Sequence, residues 1–117
     1  LLHRDGLTRL LTHGSFMEQV QQIIDRRSRS TGGQASLVLL DVDHFKQIND
    51  TYGHQAGDRV LARLAALLRQ HLRRTDIIGR YGGEEFAVLL DHLSVDDAQR
   101  LIARLIGEFS ALDHTAG

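Results

Sequence analysis

Two adjacent carboxylates behind two glycines, in Arg80-Tyr81-Gly82-Gly83-Glu84-Glu85-Phe86, are the residues of this chain best suited to chemistry. Glycine admits positive φ and leaves no Cβ between the backbone and a ligand, so a turn on Gly82 and Gly83 can approach a phosphate or a base edge. Glu84 and Glu85 could hold a divalent cation through hard oxygen donors. A solvent-facing hairpin tip with two exposed glutamates is the competing reading. A second acidic pair, Asp41 and Asp43, follows the apolar run Ser36-Leu37-Val38-Leu39-Leu40. Strand side chains alternate, so both carboxylates point the same way if extension persists to Asp43. That arrangement suits Mg²⁺, and it equally suits a polar strand end leading into a turn.

The elements that must position these groups follow from apolar patterning. Ile77-Ile78 and Phe86-Ala87-Val88-Leu89-Leu90 flank the glycines as two strands of a hairpin, and Ser36–Leu40 reads as a buried strand. Ahead of them, Leu7, Leu10 and Leu11 suggest a short segment docked on the domain. Ser15 with Glu18 reads as a capping box that starts a helix burying Phe16, Val20, Ile23 and Ile24, and Asp25 to Gln34 is a loop by composition. His44 to Gly57 is a polar, partly helical segment of the kind that often lines a site. A strong helix starts near Asp58 and buries Val60, Leu61, Leu64, Ala65, Leu67, Leu68 and Leu72, with Arg69, Arg73 and Arg74 at its negative end. Ser94 with Asp97 caps a last helix, which carries Ala98, Leu101, Ile102, Leu105, Ile106 and Phe109 inward. Helix, strand, helical segment, helix, hairpin and helix in that order indicate an α+β sheet layered with helices.

Composition narrows the function classes. A chain of 117 residues is one domain, and 42% hydrophobic with 25% charged residues matches a folded protein rather than a disordered one. The absence of cysteine excludes disulfides and cysteine zinc sites, and the seven histidines form no helical His-x-x-x-His pair. A net charge of -1 offers no broad basic field for nucleic acid. No apolar run approaches membrane-spanning length, and the first residues lack a signal-peptide pattern. A cytoplasmic location without membrane contact is therefore expected.

Taken together, Asp41-Val42-Asp43-His44-Phe45-Lys46-Gln47-Ile48-Asn49-Asp50, then Gly53-His54, Gly57-Asp58 and Gly82-Gly83-Glu84-Glu85-Phe86 closely resemble the GGDEF family of diguanylate cyclases, over almost the whole chain. Asp5-Gly6-Leu7-Thr8 is similar to the family's opening motif, and Tyr81 stands in its usual place before the glycines. The resemblance implies a ferredoxin-like palm of the nucleotidyl cyclase and polymerase type that condenses two GTP molecules into cyclic di-GMP and releases pyrophosphate. By the same resemblance, Asp41, Glu84 and the Val42 carbonyl would bind Mg²⁺, with Mn²⁺ as a substitute. Asn49 and Asp58 would read guanine, Lys46 and the backbone near Phe45 would meet the phosphates, and His54 would line the pocket beside Gly82 and Gly83. Glu84 is the first candidate for assisting 3′-OH deprotonation and Glu85 the second, while Lys46 stabilises developing charge. Each domain would hold one GTP, so the active state would be a homodimer, driven by an N-terminal sensory or receiver module.

Arg73-Arg74-Thr75-Asp76 matches the family's Arg-x-x-Asp inhibitory site, which implies product binding with Arg73 on guanine or phosphate and Asp76 on guanine. Without the resemblance these residues read as a charged helix end. Two departures stand out. Arg9 and Thr12-His13 occupy the places of a glycine and an Asn-Arg pair in the family's opening motif. The family domain also continues past Gly117 through another core strand and a helix with phosphate-contacting basic residues. A domain read as 1–117, with an opening segment over 1–13 and a core over 36–112, is therefore expected to lack part of the phosphate grip. It is also expected to leave a sheet edge unpaired, making it less stable than the intact domain unless another copy covers that edge. A non-catalytic cyclic di-GMP receptor and a GTP-binding regulatory module are the competing functions. The intact Gly-Gly-Glu-Glu-Phe favours the enzyme, because a receptor has no chemical need for Glu84 and Asp41.

Overall fold

The computed structural model describes residues 2–29 and 34–111. Its elements run α1 (His13–Ser28), β1 (Ala35–Asp41), α2 (Phe45–Tyr52), α3 (His54–His71), β2 (Ile77–Arg80), β3 (Glu85–Asp91) and α4 (Val95–Ala111). The strands form one antiparallel sheet in the order β1-β3-β2, with helices on both faces, as the α+β reading expects. The last strand in sequence lies in the middle, because it carries apolar side chains on both faces. Phe86, Val88 and Leu90 face a core built from Val60, Leu61, Leu64 and Leu68 of α3 and Ala98, Ile102 and Leu105 of α4. The alternate residues Ala87 and Leu89 pack against Phe16, Val20 and Ile23 of α1. Each large apolar side chain fully buried in this way contributes about 1.5–3 kcal/mol, so β3 is the strand the sheet can least do without.

Several elements begin or end differently from the sequence expectation, each for a local reason. Thr12, not Ser15, caps α1: it is extended and its hydroxyl accepts the Ser15 N–H at 3.4 Å. Ser15 is buried, and its hydroxyl is taken by the His3 N–H at 2.8 Å. The same helix runs on through Asp25 to Ser28, which the composition had assigned to a loop. Gln21 bonds Asp25 one turn on, Ser28 closes on the Asp25 carbonyl, and Arg27 pairs with Asp91 of β3. Residues 30–33 of that loop and the polar end from 112 lie outside the described residues. The strong helix starts at His54, four residues before Asp58, because Gly53 at φ 93° can both end α2 and begin α3. At the start of α4, Ser94 accepts the Asp97 N–H at 3.2 Å as expected, while the Asp97 carboxylate turns to Arg100. Ile24 and Ile106, expected inside, are about half exposed.

The two lateral edges of the sheet differ. The outer side of β2 is bridged by Leu11, which accepts the Arg80 N–H at 2.8 Å and donates to the Ile78 carbonyl at 3.3 Å. The outer side of β1 has no strand beside it among the described residues, and Leu37 and Leu39 are 57% and 63% exposed.

Gly79 sits where α1 crosses β2. A Cβ there would lie 2.7 Å from Cβ, Cγ and Cδ1 of Phe16, atoms too close to their own backbone to move aside. Gly79→Ala is therefore expected to cost about 1–3 kcal/mol by overpacking, read as a lower urea midpoint at unchanged slope. An unchanged midpoint would count against this close approach.

Candidate functional site

Backbone pairing brings the two acidic stretches together. Asp41 at the end of β1 is the register partner of Glu85 at the start of β3. One residue further, the Val42 N–H donates to the Glu84 carbonyl at 3.2 Å. Extension stops there: Asp43 enters a turn and His44 adopts φ 57°, so Asp41 and Asp43 do not continue one strand face. In place of the expected Asp41-Asp43 pair, backbone pairing sets Asp41 opposite Glu85 and Val42 beside Glu84. Among the described residues no three carboxylate or imidazole side chains form a cluster able to hold a metal.

The glycine turn closes on the Glu85 carbonyl, which accepts the N–H groups of Tyr81 at 2.8 Å and Gly82 at 3.2 Å. Neither Gly82 nor Gly83 takes positive φ; among the described glycines only Gly53 does. What the turn uses is the missing side chain. A Cβ on Gly82 would lie 2.3 Å from Oε1 of Glu85, whose side chain folds back over it, and Gly83 is open to approach. Arg80 braces the turn, with Nε and NH2 donating to the Gly83 carbonyl at 3.2 and 2.7 Å.

A second group forms where α2 packs on α3. Gly57 is buried against Asn49, and a Cβ on it would fall 1.8 Å from Asn49 Oδ1 and 3.1 Å from Cζ of Phe45. Asn49 Oδ1 is buried without a hydrogen-bond partner, an acceptor that costs free energy until a donor reaches it. Asp58 follows Gly57 directly on α3, and Asp58, His54 and Lys46 are all exposed. The structure thus joins Phe45 and Asn49 to α3 at Gly57, while Asp58, Lys46 and His54 stand at the surface. An apolar cleft of about 280 Å³ opens beside Asp41, Val42 and Asp43 and runs between α3 and α4.

On the other end of the sheet, the Asp76 side chain is fully buried. Its oxygens accept Arg73 N at 2.8 Å, Arg73 Nε at 3.2 Å, Arg73 NH2 at 2.9 Å and Asp91 N at 3.3 Å. The hydrogen bond that Arg73 donates to Asp76 raises the Arg73 pKa above its ordinary value, against burial, with the Asp76 and Asp91 charges adding to it. Arg73 borders a cleft of about 490 Å³ that Arg100 and Arg104 of α4 also line. Sequence reading missed those two arginines. Their i, i+4 spacing on a helix was the available signal, but nothing in the sequence says that α4 lies beside Arg73.

These features define an α+β domain with acidic residues at paired strand ends, an open glycine turn and a buried amide oxygen at a helix junction. The chain belongs to the GGDEF family: the family model "Diguanylate cyclase, GGDEF domain" matches residues 2–116. It is 46% identical to the diguanylate cyclase DgcP of Pseudomonas aeruginosa over 92% of this chain and 16% of that protein. It is 40% identical to the probable diguanylate cyclase DgcE of Escherichia coli over 87% of this chain and 9% of that protein. The chain thus spans less than a fifth of either curated relative. Among solved structures, the diguanylate cyclase SiaD of P. aeruginosa, in complex with its activator SiaC, superposes with a TM-score of 0.88 at 39% identity, over 97% of this chain and 44% of that one. The GGDEF domain of DgcB from Caulobacter crescentus, in complex with cyclic di-GMP, gives 0.85 at 31% identity, over 90% and 59%. No helix among the described residues is long and apolar enough to cross a membrane.

The opening motif contributes a pH-dependent term. Burial pushes the Asp5 carboxyl up, but the Thr8 hydroxyl and N–H and the Arg80 guanidinium outweigh it and hold the group below the ordinary carboxylate value. A depressed folded pKa means the stabilisation is complete above the unfolded value of about 3.9 and is lost as pH falls through the lower folded value. The urea midpoint of the protein is expected to exceed that of Asp5→Asn at pH 6, with the gap closing toward pH 2. A gap that stays constant across that range would contradict the assignment.

Proposed function

We propose that this chain is the catalytic palm of a diguanylate cyclase, in which two copies, each holding one GTP, face each other and join their substrates into cyclic di-GMP. The observation that carries this reading is the strand register that lays Asp41-Val42 against Glu84-Glu85. Two carboxylates and a peptide carbonyl are hard oxygen donors of the kind that suit Mg²⁺ or Mn²⁺, so Asp41, Glu84 and the Val42 carbonyl are the residues that would hold the ion. When bound, it supplies charge stabilisation at the reacting phosphate.

The protein's own groups account for the remaining demands. The unpartnered Asn49 Oδ1 meets a donor on the guanine edge, and the Asp58 carboxylate accepts from guanine N–H groups. Lys46, exposed at the start of α2, meets the phosphates. The ribose 3′-oxygen of one GTP bonds to the α-phosphorus of the other, the bond to the β-phosphate breaks, and pyrophosphate leaves. Glu84, with Glu85 second, takes the 3′-OH proton. The same transfer in the opposite sense closes the ring. Dimerisation is thus a requirement of the chemistry, since one domain presents only one of the two nucleotides.

The Arg73 cleft is the product-binding site in this reading. Asp76, whose oxygens Arg73 and Asp91 already occupy, holds Arg73 at the cleft. For Asp76 to contact guanine, as the resemblance implies, Arg73 must swing away.

Incubating the full-length protein with GTP and Mg²⁺ is expected to yield cyclic di-GMP, and Glu84→Gln to slow it by about a hundredfold or more. Undiminished product from that variant would overturn the site assignment. Arg73→Ala is expected to weaken cyclic di-GMP binding by about tenfold or more while the KM for GTP stays within about twofold. Equal product affinity in calorimetry would remove the inhibitory site from the account.

A further inference from the structure

Asp5 and Arg80 are far apart in the chain, yet both Asp5 oxygens accept from Arg80 NH1 at 3.0 Å. The guanidinium faces two ways, because its Nε and NH2 hold the Gly83 carbonyl. Asp5 is itself fixed: its Oδ2 accepts the Thr8 N–H and hydroxyl, each at 2.8 Å, and its N–H bonds the Leu10 carbonyl at 2.7 Å. The opening turn is anchored on a third side by Arg69 of α3, which donates to the Thr8 carbonyl. The other flank of the glycine turn is gripped too, since the His13 ring stacks on Tyr81 with centroids 4.1 Å apart.

The consequence falls on Glu84. Its preceding peptide carries the Gly83 carbonyl held by Arg80, and its following peptide carries the carbonyl held by the Val42 N–H. With both flanking peptide planes pinned, the direction in which the Glu84 side chain leaves the turn is set by the opening segment on one side and by β1 on the other. We propose that Asp5 is a positioning residue for Glu84, acting through Arg80 and the Gly83 carbonyl, so that the turn over residues 5–10 tunes the reaction centre without touching substrate. This rests on the cyclase reading for its effect on rate, but not for the contact relay itself.

The test compares the full-length protein with Asp5→Asn, which keeps an acceptor for Thr8 and removes the charge facing Arg80. Ile102→Val in the α3–α4 core, on the sheet face opposite the cluster that Tyr81 packs against, serves as a control destabilised away from the turn. Hydrogen exchange at the Tyr81 and Gly82 amides is expected to accelerate about tenfold in Asp5→Asn relative to the control, with the Ala87 to Leu90 amides unchanged. The kcat for cyclic di-GMP formation is expected to fall about ten- to a hundredfold, with the KM for GTP within about twofold. Arg80→Lys, which keeps a charge but not the two-sided fork, is expected to behave like Asp5→Asn. Turn amides that exchange at the control rate overturn the proposal whatever the activity. So does accelerated exchange with an unchanged kcat. If the unsubstituted protein makes no cyclic di-GMP, the cyclase reading falls, and the relay then stands or falls on the exchange data alone.

Discussion

The antiparallel pairing of β1 with β3 is the constraint on which the rest depends. It buries β3 on both faces and sets Asp41 across from Glu85, with Val42 bonded to Glu84. Side chains in a strand alternate, so a slip of one residue would turn Phe86, Val88 and Leu90 out of the α3–α4 core and exchange them for Ala87 and Leu89. The core therefore enforces the register, and the register assembles the acidic site. The carboxylates do not hold the fold together; the apolar residues behind them hold the carboxylates in place.

Around that sheet the three glycines tested by packing have separate tasks. Gly79 lets Phe16 lie directly on β2, Gly57 lets Asn49 and Phe45 close against α3, and Gly82 leaves space for the Glu85 side chain. In each case the missing Cβ, not an unusual φ, is what the structure uses. Gly53 is the exception, since its left-handed φ permits α2 and α3 to meet with one residue between them. That junction is also where the orphan amide oxygen of Asn49 is buried, so the tight helix pair and the candidate base-reading group have one cause.

The charged residues divide into structural and available groups. Asp5, Arg80, Arg73 and Asp76 are committed to contacts that tie segments distant in sequence, and the pKa shifts of Asp5 and Arg73 follow from those contacts. Lys46, His54 and Asp58 are exposed on α2 and α3, where a ligand can reach them. In the cyclase reading this division leaves Lys46, His54 and Asp58 free to meet the nucleotide, while Asp5 and Arg80 are already neutralised by each other.

Local pattern determined the kinds of element and most of the buried stripe, because period-2 and period-3.6 apolar spacing is a property of contiguous residues. The hairpin around Gly82 and Gly83, the α3 stripe and the inward positions of α4 apart from Ile106 were legible in this way. Motif order also made the family legible, since several spaced residue sets have to coincide. Tertiary structure decided what contiguous residues cannot express. Thr12 caps α1 because His3 claims Ser15, and Asp41 finds its partners across the sheet instead of at Asp43. Asp76 is spent on Arg73, and Arg100 and Arg104 share a cleft with it only because α4 lies alongside. The glycine turn, read alone as a solvent-facing tip with two exposed glutamates, is held at Gly83 by Arg80 and Asp5 and at Tyr81 by His13. The pairs Asp5–Arg80 and His13–Tyr81 join residues separated by more than half of the chain, and their free energy exists only once the sheet has brought them together.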